Sequence, residues 1–497
     1  MLLEAIEEAI AYAKAHLGLG ELDAIYKRNL LLHYLGEDAP YLGEIDLVKA
    51  ENATLPDGVV SDLMEGYKAE NGGEQGEAER FAVYVLGLLS PSPDEVNAHC
   101  HDLVGQGKPE EALDYLYRLS IANYYIAKSK VDRNIVFPYA FEEGSPLEIS
   151  INLSKPEKNN KDIAKLLTKK ASGYPKCLLC KENLGYAGTP THPARENIRY
   201  LALDFPSGRW YLQYSPYVYY HKHCILFNDS HSPMRMDRGI LSTLLDFVDA
   251  FPCFFMGSNS DLPIVGGSIL DHEHFQGGGH MLPLLEAPFK KEYKTGLSHT
   301  RLWQVDFYDT CLCLEGKDKQ ELLDAGERIL LAWRGYDDED NSIISKDASG
   351  QHSTITPIAR KVGDDYRLYI ILRNNRCDEA YPDGIFHVHP ERFHIKREGI
   401  GLIEAAGLFI LPARLKRQIG ELVDGIKSGK TMEELVKEDP GLEGEGFASM
   451  YAKLEAGMDE REYLASTCRE ILGDVAVYKH DNKGQQGLDK FIGGIGL

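Results

Sequence analysis

The stretch that most constrains this chain runs from residue 266 to residue 280 and reads GGSILDHEHFQGGGH. Glycines bound it on both sides and branched or aromatic residues fill it, which predicts a strand with a turn at each end. Because successive side chains of a strand point to opposite faces, His272, His274 and Gln276 are predicted to share one face. Two imidazoles and an amide aimed at one place suit a site where one histidine attacks and the amide holds an oxygen. For an arbitrary histidine pair, a polar strand face in water is the more common use.

Length and composition indicate a large globular protein whose partners are not nucleic acids. The 497 residues suffice for two to four domains, at about 100–200 residues each. A net charge of −23 argues against a nucleic-acid surface, and no apolar run is long enough to cross a membrane. The acidic start of the chain is not typical of a signal peptide. Together with nine scattered cysteines, these features predict a cytoplasmic protein with mostly free thiols.

The pattern of elements predicts an α+β fold in four segments. Residues 1–170 are expected to be mainly helical, with a capping box at Ser92–Glu95 and a lysine-rich boundary at 155–170. The segment 171–300 is expected to hold strands and one helix, and 301–425 repeats that theme around a second HxH motif, which suggests two related halves. The segment 426–497 turns helical again and ends in a loose glycine-rich tail. The predicted strands are 199–205, 210–220, 224–228, 254–258 and 367–375, and the predicted helices include 236–250, 396–408 and one capped by Thr431–Glu434.

Cys177 and Cys180 form a CxxC pair, which can be a zinc half-site, a redox pair or a coincidence. The pair follows a turn, Gly173 to Lys176, and this favours the geometry of zinc over the strand-to-helix entry of a thioredoxin-like pair. A zinc half-site needs two further ligands. The candidates downstream are His192, His221, His223, Cys224, His231 and His272.

The order of these motifs resembles the galactose-1-phosphate uridylyltransferases, a branch of the histidine-triad superfamily. The resemblance rests on Gly267 and Ser268 followed by the HxHxQ of residues 272–276, on the CxxC upstream and on the second HxH. It is densest over residues 174–288 and 367–415, and the length matches the longer of the family's two sequence branches. It implies two histidine-triad-like antiparallel-sheet halves with helices, plus a helical N-terminal region. Residues 171–300 would be the catalytic half, and 301–425 would handle the sugar phosphate.

The resemblance also implies roles for single residues. His274 would be the nucleophile, and Gln276 would hold the phosphoryl group. Zinc would be structural, because Cys177, Cys180, His231 and His272 fill all four of its positions. The implied substrate contacts are Asn259 and Ser268 at the nucleotide phosphate, Leu178 and Leu179 at the uracil ring, and Lys396 or Arg397 at the sugar phosphate, with Arg373 as a further candidate for phosphate. His387 and His389 would form a second metal site, with Glu286 as the candidate for its carboxylate ligand.

The chain departs from the family's shorter branch at Glu273, where that branch has a proline inside the HxH, and by one extra residue before the motif. Several residues also have plainer interpretations. His231 would then be a solvated loop residue, His221, His223 and Cys224 a strand face, and Arg373, Lys396 and Arg397 surface or strand-edge charges. Cys311 and Cys313 are expected to be buried thiols on a strand.

Elementary chemistry is consistent with the implied reaction. A neutral imidazole, with a reference pKa of about 6.5, is a suitable nucleophile near pH 7. It needs only the proton on its other nitrogen to be held, and a backbone carbonyl could do this for His274. UDP-glucose would give UMP to His274 and release glucose 1-phosphate, and galactose 1-phosphate would then take the UMP to form UDP-galactose.

Three other functions are compatible with the same motifs. A histidine-triad hydrolase or phosphorylase would use water or another acceptor in the second step. A zinc-stapled sugar-nucleotide binder would have no activity to lose, and a related nucleotidyltransferase would use another base or sugar. The uridylyltransferase interpretation implies UDP-glucose, UDP-galactose and hexose 1-phosphates as partners, and a homodimer.

Overall fold

The structure is a computed structural model that describes residues 1–154, 173–267 and 269–497. The lysine-rich boundary predicted at residues 155–170 and the predicted phosphate contact Ser268 lie outside the described residues.

Seventeen helices lie within the described ranges. In chain order they are α1 (Leu2–His16), α2 (Glu21–Leu35), α3 (Leu47–Glu51), α4 (Asp57–Asn71), α5 (Gln75–Leu89), α6 (Pro93–Gly105), α7 (Pro109–Ala122), α8 (Lys128–Val131), α9 (Arg238–Ala250), α10 (Pro283–Glu286), α11 (Lys319–Arg334), α12 (Leu402–Ala405), α13 (Arg414–Lys427), α14 (Met432–Glu438), α15 (Glu445–Glu455), α16 (Glu460–Val475) and α17 (Asn482–Ile495). Among these helices, none has both the length and the apolar character that crossing a membrane requires.

The strands form mainly antiparallel pairs, and the mixture with helices confirms the predicted α+β class. The strands are β1 (Ile135–Tyr139), β2 (Leu147–Asn152), β3 (Leu201–Phe205), β4 (Gly208–Tyr214), β5 (Cys224–Asn228), β6 (Phe255–Gly257), β7 (His274–Gly278), β8 (Phe289–Tyr293), β9 (Thr300–Val305), β10 (Cys311–Gly316), β11 (Lys346–Asp347), β12 (Gly350–Gln351), β13 (Ser353–Val362), β14 (Asp365–Asn374) and β15 (Leu408–Pro412).

The described residues fall into two compact units. The first contains residues 1–133, 173–218 and 222–231, and the second contains 134–154, 219–221, 232–267 and 269–497. The predicted division into four segments, with boundaries at 171, 301 and 426, stays a prediction.

The first unit confirms the predicted helical N-terminal region. The apolar stripe of α1 is buried, as its near-helical spacing predicts. The predicted capping box begins α6: the Ser92 Oγ accepts the Glu95 N–H at 3.3 Å, and a Glu95 carboxylate oxygen accepts the Ser92 N–H at 2.7 Å. After the helices, β3, β4 and β5 form an antiparallel meander. The last of these strands matches its prediction at 224–228, whereas β3 and β4 are shorter than predicted.

A buried arginine joins helices and loops within the first unit. Arg199 is 5% exposed, and its guanidinium donates to four backbone carbonyls. The distances are 2.7 Å to Pro91, 2.9 Å to Gly87, 2.9 Å to Glu196 and 2.8 Å to Ile198. Since these buried carbonyls would otherwise lose hydrogen bonds, Arg199 is a structural residue of the first unit.

The second unit contains a run of seven strands in the order β7-β6-β13-β14-β10-β9-β8, in which each neighbouring pair is antiparallel. Helices α9 and α11 pack against this run. A smaller sheet has the order β1-β2-β15, with β15 parallel to β2. Cys311 and Cys313 lie on β10 and are buried, as predicted.

Two predicted elements of the second unit are wrong. The helix expected over 396–408 is reduced to the four residues of α12, because Gly399 and Gly401 interrupt it. The glycine-rich tail, expected to be loose, forms α17, since Asp481 caps its start and Phe491 packs on Trp333 with ring centroids 5.2 Å apart. The second capping box is present as predicted, at the start of α14.

Asp309, between β9 and β10, is 2% exposed and gives the second unit a pH-dependent stability. Burial raises the pKa of its carboxyl from 3.8 to about 7, against the lowering effect of Arg373. Between these values the unfolded chain ionises and the folded chain keeps the proton. The free energy of unfolding therefore falls as pH rises through that window and levels off above it. The free energy of unfolding of Asp309→Asn, relative to that of wild type, is expected to rise by about 1–4 kcal/mol between about pH 4 and pH 8. Calorimetry measures this difference. A Tm difference independent of pH would contradict this.

Candidate active site and metal centre

Residues 269–273 form a loop, and strand β7 begins only at His274. The strand predicted over the whole stretch is therefore wrong in its first half, and His272 does not share a strand face with His274. Two backbone hydrogen bonds of 2.7 and 2.9 Å join the loop to residues 232–234. Since the loop satisfies its backbone against a segment distant in sequence, local periodicity could not predict it.

His274 is fixed in one protonation state and one orientation. It is 6% exposed, and its Nδ1 lies 2.8 Å from the backbone carbonyl oxygen of His272. A carbonyl only accepts, so Nδ1 carries the proton and Nε2 keeps its lone pair. Burial lowers the pKa of His274, so the imidazole is neutral at pH 7. The carbonyl that elementary chemistry requires behind a histidine nucleophile is thus present.

Gln276 lies two residues along β7 from His274 and is half-buried, so the two side chains share a strand face as predicted. The glycines that follow have a packing reason. A Cβ on Gly277 would stand 2.3 Å from the carbonyl oxygen of Phe255 on the neighbouring strand. Gly277 is therefore required by the close approach of β6 and β7.

The CxxC pair and His231 bring three candidate metal ligands together in the first unit. The two Sγ atoms of Cys177 and Cys180 are 3.5 Å apart, and Cys180 Sγ lies 3.2 Å from His231 Nδ1. Ligand atoms of a tetrahedral zinc stand about 3.4–3.8 Å apart, close to these values. His272, which is 1% exposed, is the fourth member of the same group of candidate ligands. This Cys/His group can bind a metal, and its members are the four residues that the resemblance implies.

A buried asparagine that sequence reasoning missed holds the CxxC turn. The Asn183 side-chain nitrogen donates to the carbonyls of Cys177 at 2.9 Å and Cys180 at 2.7 Å. His192, one of the candidate ligands, instead lies with Nε2 2.6 Å from Asn183 Oδ1. Outer residues of this kind orient metal ligands, and nothing in the spacing of Asn183 indicates its role.

The remaining candidate ligands do not join a second group. Among the residues that the structure describes, the Cys/His group is the only one with three or more such ligands in reach of one ion. His387 and His389 lie in a loop, with His389 Nε2 3.1 Å from the carbonyl of Ile385 and Nδ1 3.4 Å from an Asp474 oxygen. Glu286 ends the short helix α10. Around His387 and His389 the described residues therefore give no group of three ligands, and the second metal site stays a prediction.

Three predicted substrate contacts differ in exposure. Leu178 is 44% exposed and Leu179 only 4%, so Leu178 offers the surface on which a flat ring could pack. Asn259 is 5% exposed and follows β6 in the second unit.

The basic candidates are placed differently from their prediction. Arg373 is 1% exposed and Lys396 is 6% exposed, so the interpretation of both as surface or strand-edge charges is wrong. In its buried position Arg373 donates to the Ile400 carbonyl, although its Nε has no hydrogen-bond partner among the described residues, and Lys396 donates to Glu404. Arg397 is exposed, with its guanidinium carbon 5.2 Å from the ring centroid of Phe393.

Comparisons with known proteins bear on the family of this chain. Residues 23–233 match a family model described as the N-terminal domain of galactose-1-phosphate uridyl transferase. A solved structure, that of yeast Ap4A phosphorylase, aligns over 68% of this chain and 95% of its own with a TM-score of 0.32 and 10% identity. A likeness at that level carries no argument.

Full-length relatives decide the family. The galactose-1-phosphate uridylyltransferase of Clostridium acetobutylicum is 39% identical over 508 aligned residues, covering 99% of each chain. That of Ligilactobacillus salivarius is 39% identical and covers 96% of this chain and 95% of its own. That of Streptococcus thermophilus is 37% identical over 96% of both chains. The chain belongs to the galactose-1-phosphate uridylyltransferase family.

Proposed function

We propose that this chain exchanges UMP between UDP-glucose and galactose 1-phosphate through a uridylyl group carried on His274. The observation that carries the proposal is the buried imidazole whose Nδ1 proton is held by the His272 carbonyl at 2.8 Å. It leaves the Nε2 lone pair free to attack and keeps the ring neutral, which is what nucleophilic catalysis by histidine needs. Galactose metabolism is the corresponding cellular role, in the cytoplasm, a compartment that suits nine cysteines free of disulfides.

The reaction has two in-line steps at one site. In the first, Nε2 of His274 attacks the α-phosphorus of UDP-glucose, and the bond to the bridging oxygen breaks. Glucose 1-phosphate leaves with that electron pair. In the second, a phosphate oxygen of galactose 1-phosphate attacks the same phosphorus, and the P–N electron pair returns to Nε2. The proton on Nδ1 stays on the ring throughout, so the held tautomer serves both steps.

Several other residues support the transfer. Gln276, on the face of β7 that carries His274, would hold a phosphoryl oxygen, and an amide donor there stabilises charge that develops during attack. Asn259 and Ser268 would contact the nucleotide phosphate, and Leu178 rather than Leu179 would pack on the uracil ring. Arg397, the exposed basic candidate, would meet the sugar phosphate.

The metal of the Cys/His group would be zinc, held by Cys177, Cys180, His231 and His272. Two sulfur and two nitrogen donors suit zinc, and burial raises the pKa of the Cys177 thiol, so a cation is needed to keep its thiolate. With four protein ligands the zinc would supply rigidity rather than a reactive position. It would fix the backbone of His272, whose carbonyl holds His274.

Isotope exchange tests this function. With glucose 1-phosphate and UDP-glucose alone, label is expected to pass between the two, since the uridylyl group waits on His274. A hydrolase would release UMP instead, and a binder would do neither. Sugar nucleotides with another base or another sugar in place of uridine or glucose test the base and sugar preference. If exchange is as fast with either of them as with UDP-glucose, the proposed specificity is wrong. The homodimer that the resemblance implies stays a prediction.

A further inference from the structure

Two basic side chains that the sequence offers as phosphate partners contact one short segment, residues 400–404, called here the clamp segment. Arg373 donates from Nη2 to the Ile400 carbonyl at 2.7 Å and from Nη1 to Thr356 Oγ1 at 3.4 Å. The residue is 1% exposed, so both of these hydrogen bonds lie in the interior of the second unit.

Lys396 contacts the other end of the clamp segment. Its Nζ lies 2.8 Å from Glu404 Oε1 and 3.2 Å from the carbonyl of Ile410. A buried pair of this kind adds little net stability, but removing one partner leaves a charge without compensation. The pair therefore fixes where Glu404, and with it helix α12, stands.

The clamp segment in turn holds Asn259. The Leu402 N–H donates to Asn259 Oδ1 at 2.8 Å. A Cβ on Gly401 would stand 3.0 Å from the same oxygen, and a Cβ on Gly267 would stand 2.7 Å from Asn259 Nδ2. The amide is thus enclosed between two glycines, with little room to turn.

The direction of the Leu402 hydrogen bond selects one orientation of the amide. A primary amide can rotate by half a turn and exchange its oxygen for its nitrogen. Since a backbone N–H only donates, the oxygen must face Leu402, and Nδ2 with its two donors faces Gly267. Gly267 precedes His274 by seven positions in the sequence. Donors fixed in advance bind an anion without a further cost of ordering.

We propose that Arg373 and Lys396 are positioning residues that act through Asn259. They hold the clamp segment, whose Leu402 N–H turns the Asn259 amide donor toward the nucleotide phosphate. This rests on the proposed function, because the nucleotide phosphate is the anion that Asn259 would meet.

A double-mutant cycle tests the inference. Asn259→Ala is expected to lower the rate of UMP transfer to His274 by about 100-fold, as for other lost donors to a transition-state oxygen. Arg373→Lys, which removes the planar fork, is expected to lower it about 10-fold in the wild-type background and less than about 2-fold beside Asn259→Ala. If the fold-losses of the two single variants multiply in the double variant, Arg373 acts independently of Asn259. That result would overturn the inference.

Arg199→Lys is the matched control, because it weakens another buried arginine, which is 5% exposed and bonds only to backbone within the first unit. Both variants are expected to lower Tm, but only Arg373→Lys should raise the Kd for UDP-glucose. If Arg199→Lys and Arg373→Lys change that Kd equally, Arg373 has only a structural role and the proposal is refuted.

Gly401→Ala keeps the inference testable if Arg373→Lys does not fold. Gly401 has a φ of −83°, which alanine adopts freely, so its methyl group would act mainly by pressing on Asn259 Oδ1. We expect a several-fold rise in the Kd for UDP-glucose that disappears beside Asn259→Ala. An unchanged Kd would contradict the clamp. A wild-type protein that binds UDP-glucose but forms no adduct would instead refute the proposed function. The double-mutant cycle could still be measured in that case, with the Kd for UDP-glucose in place of the transfer rate.

Discussion

Replacing His274 with alanine is expected to abolish UMP transfer, with a loss of about 10⁴-fold or more in kcat. The expectation follows from the role of the imidazole as the atom that bonds to phosphorus, since removal of a covalent nucleophile leaves only binding and charge stabilisation. The Kd for UDP-glucose should change little, because the side chain contributes to the reacting state more than to the bound substrate. Rapid-quench kinetics and calorimetric binding measure the two quantities separately.

His299→Ala is a suitable control for that experiment, since His299 is exposed just before β9. It should leave kcat and Kd as in wild type. Retention of more than about a tenth of the wild-type kcat by His274→Ala would mean that another group receives the UMP. If His274→Ala instead lowers Tm and also weakens UDP-glucose binding, the histidine has a structural role.

Loss of the zinc proposed for the Cys/His group is expected to have the largest effect on stability. Structural zinc contributes several kcal/mol of folding free energy, so Cys180→Ser or prolonged chelation should lower Tm by about 10 °C. The rate of UMP transfer should fall as well. His272 would no longer be held through its ring, and its carbonyl orients His274. Elemental analysis should find about one zinc per wild-type chain and none in the variant.

Cys377→Ser provides the matched control, because Cys377 is an exposed cysteine outside the Cys/His group. It should keep metal content, Tm and rate. Wild-type protein that contains no metal, or a Cys180→Ser variant as stable as Cys377→Ser, would contradict a structural zinc. Loss of metal without any change in transfer rate would separate the metal from the orientation of His274.

The chemistry of the site could be predicted from the sequence because its key residues lie in short motifs. The HxHxQ motif contains the proposed nucleophile, and the CxxC supplies two of the four candidate metal ligands. The need for a carbonyl behind His274 follows from the chemistry of imidazole alone. His231 could be selected from the candidate ligands only through the family resemblance, since its spacing from the cysteines has no regular period.

What could not be predicted depends on contacts between segments distant in sequence. The loop before β7 resembles a strand in composition, but it satisfies its backbone against residues 232–234. From the sequence, Arg373 and Lys396 are expected to be surface charges. Their burial depends on the carbonyl of Ile400 and the carboxylate of Glu404, which only the fold places beside them. The C-terminal helix α17 forms despite its glycines because Phe491 packs against Trp333, a contact that no local pattern contains.

Mass analysis of the protein after incubation with UDP-glucose, without any acceptor, tests the central claim most directly. Intact and peptide masses should show a UMP adduct on His274 that is discharged when galactose 1-phosphate is added. His274→Ala should carry none under the same conditions. A wild-type protein that binds UDP-glucose yet carries no adduct, or carries it on another residue, would contradict the covalent mechanism.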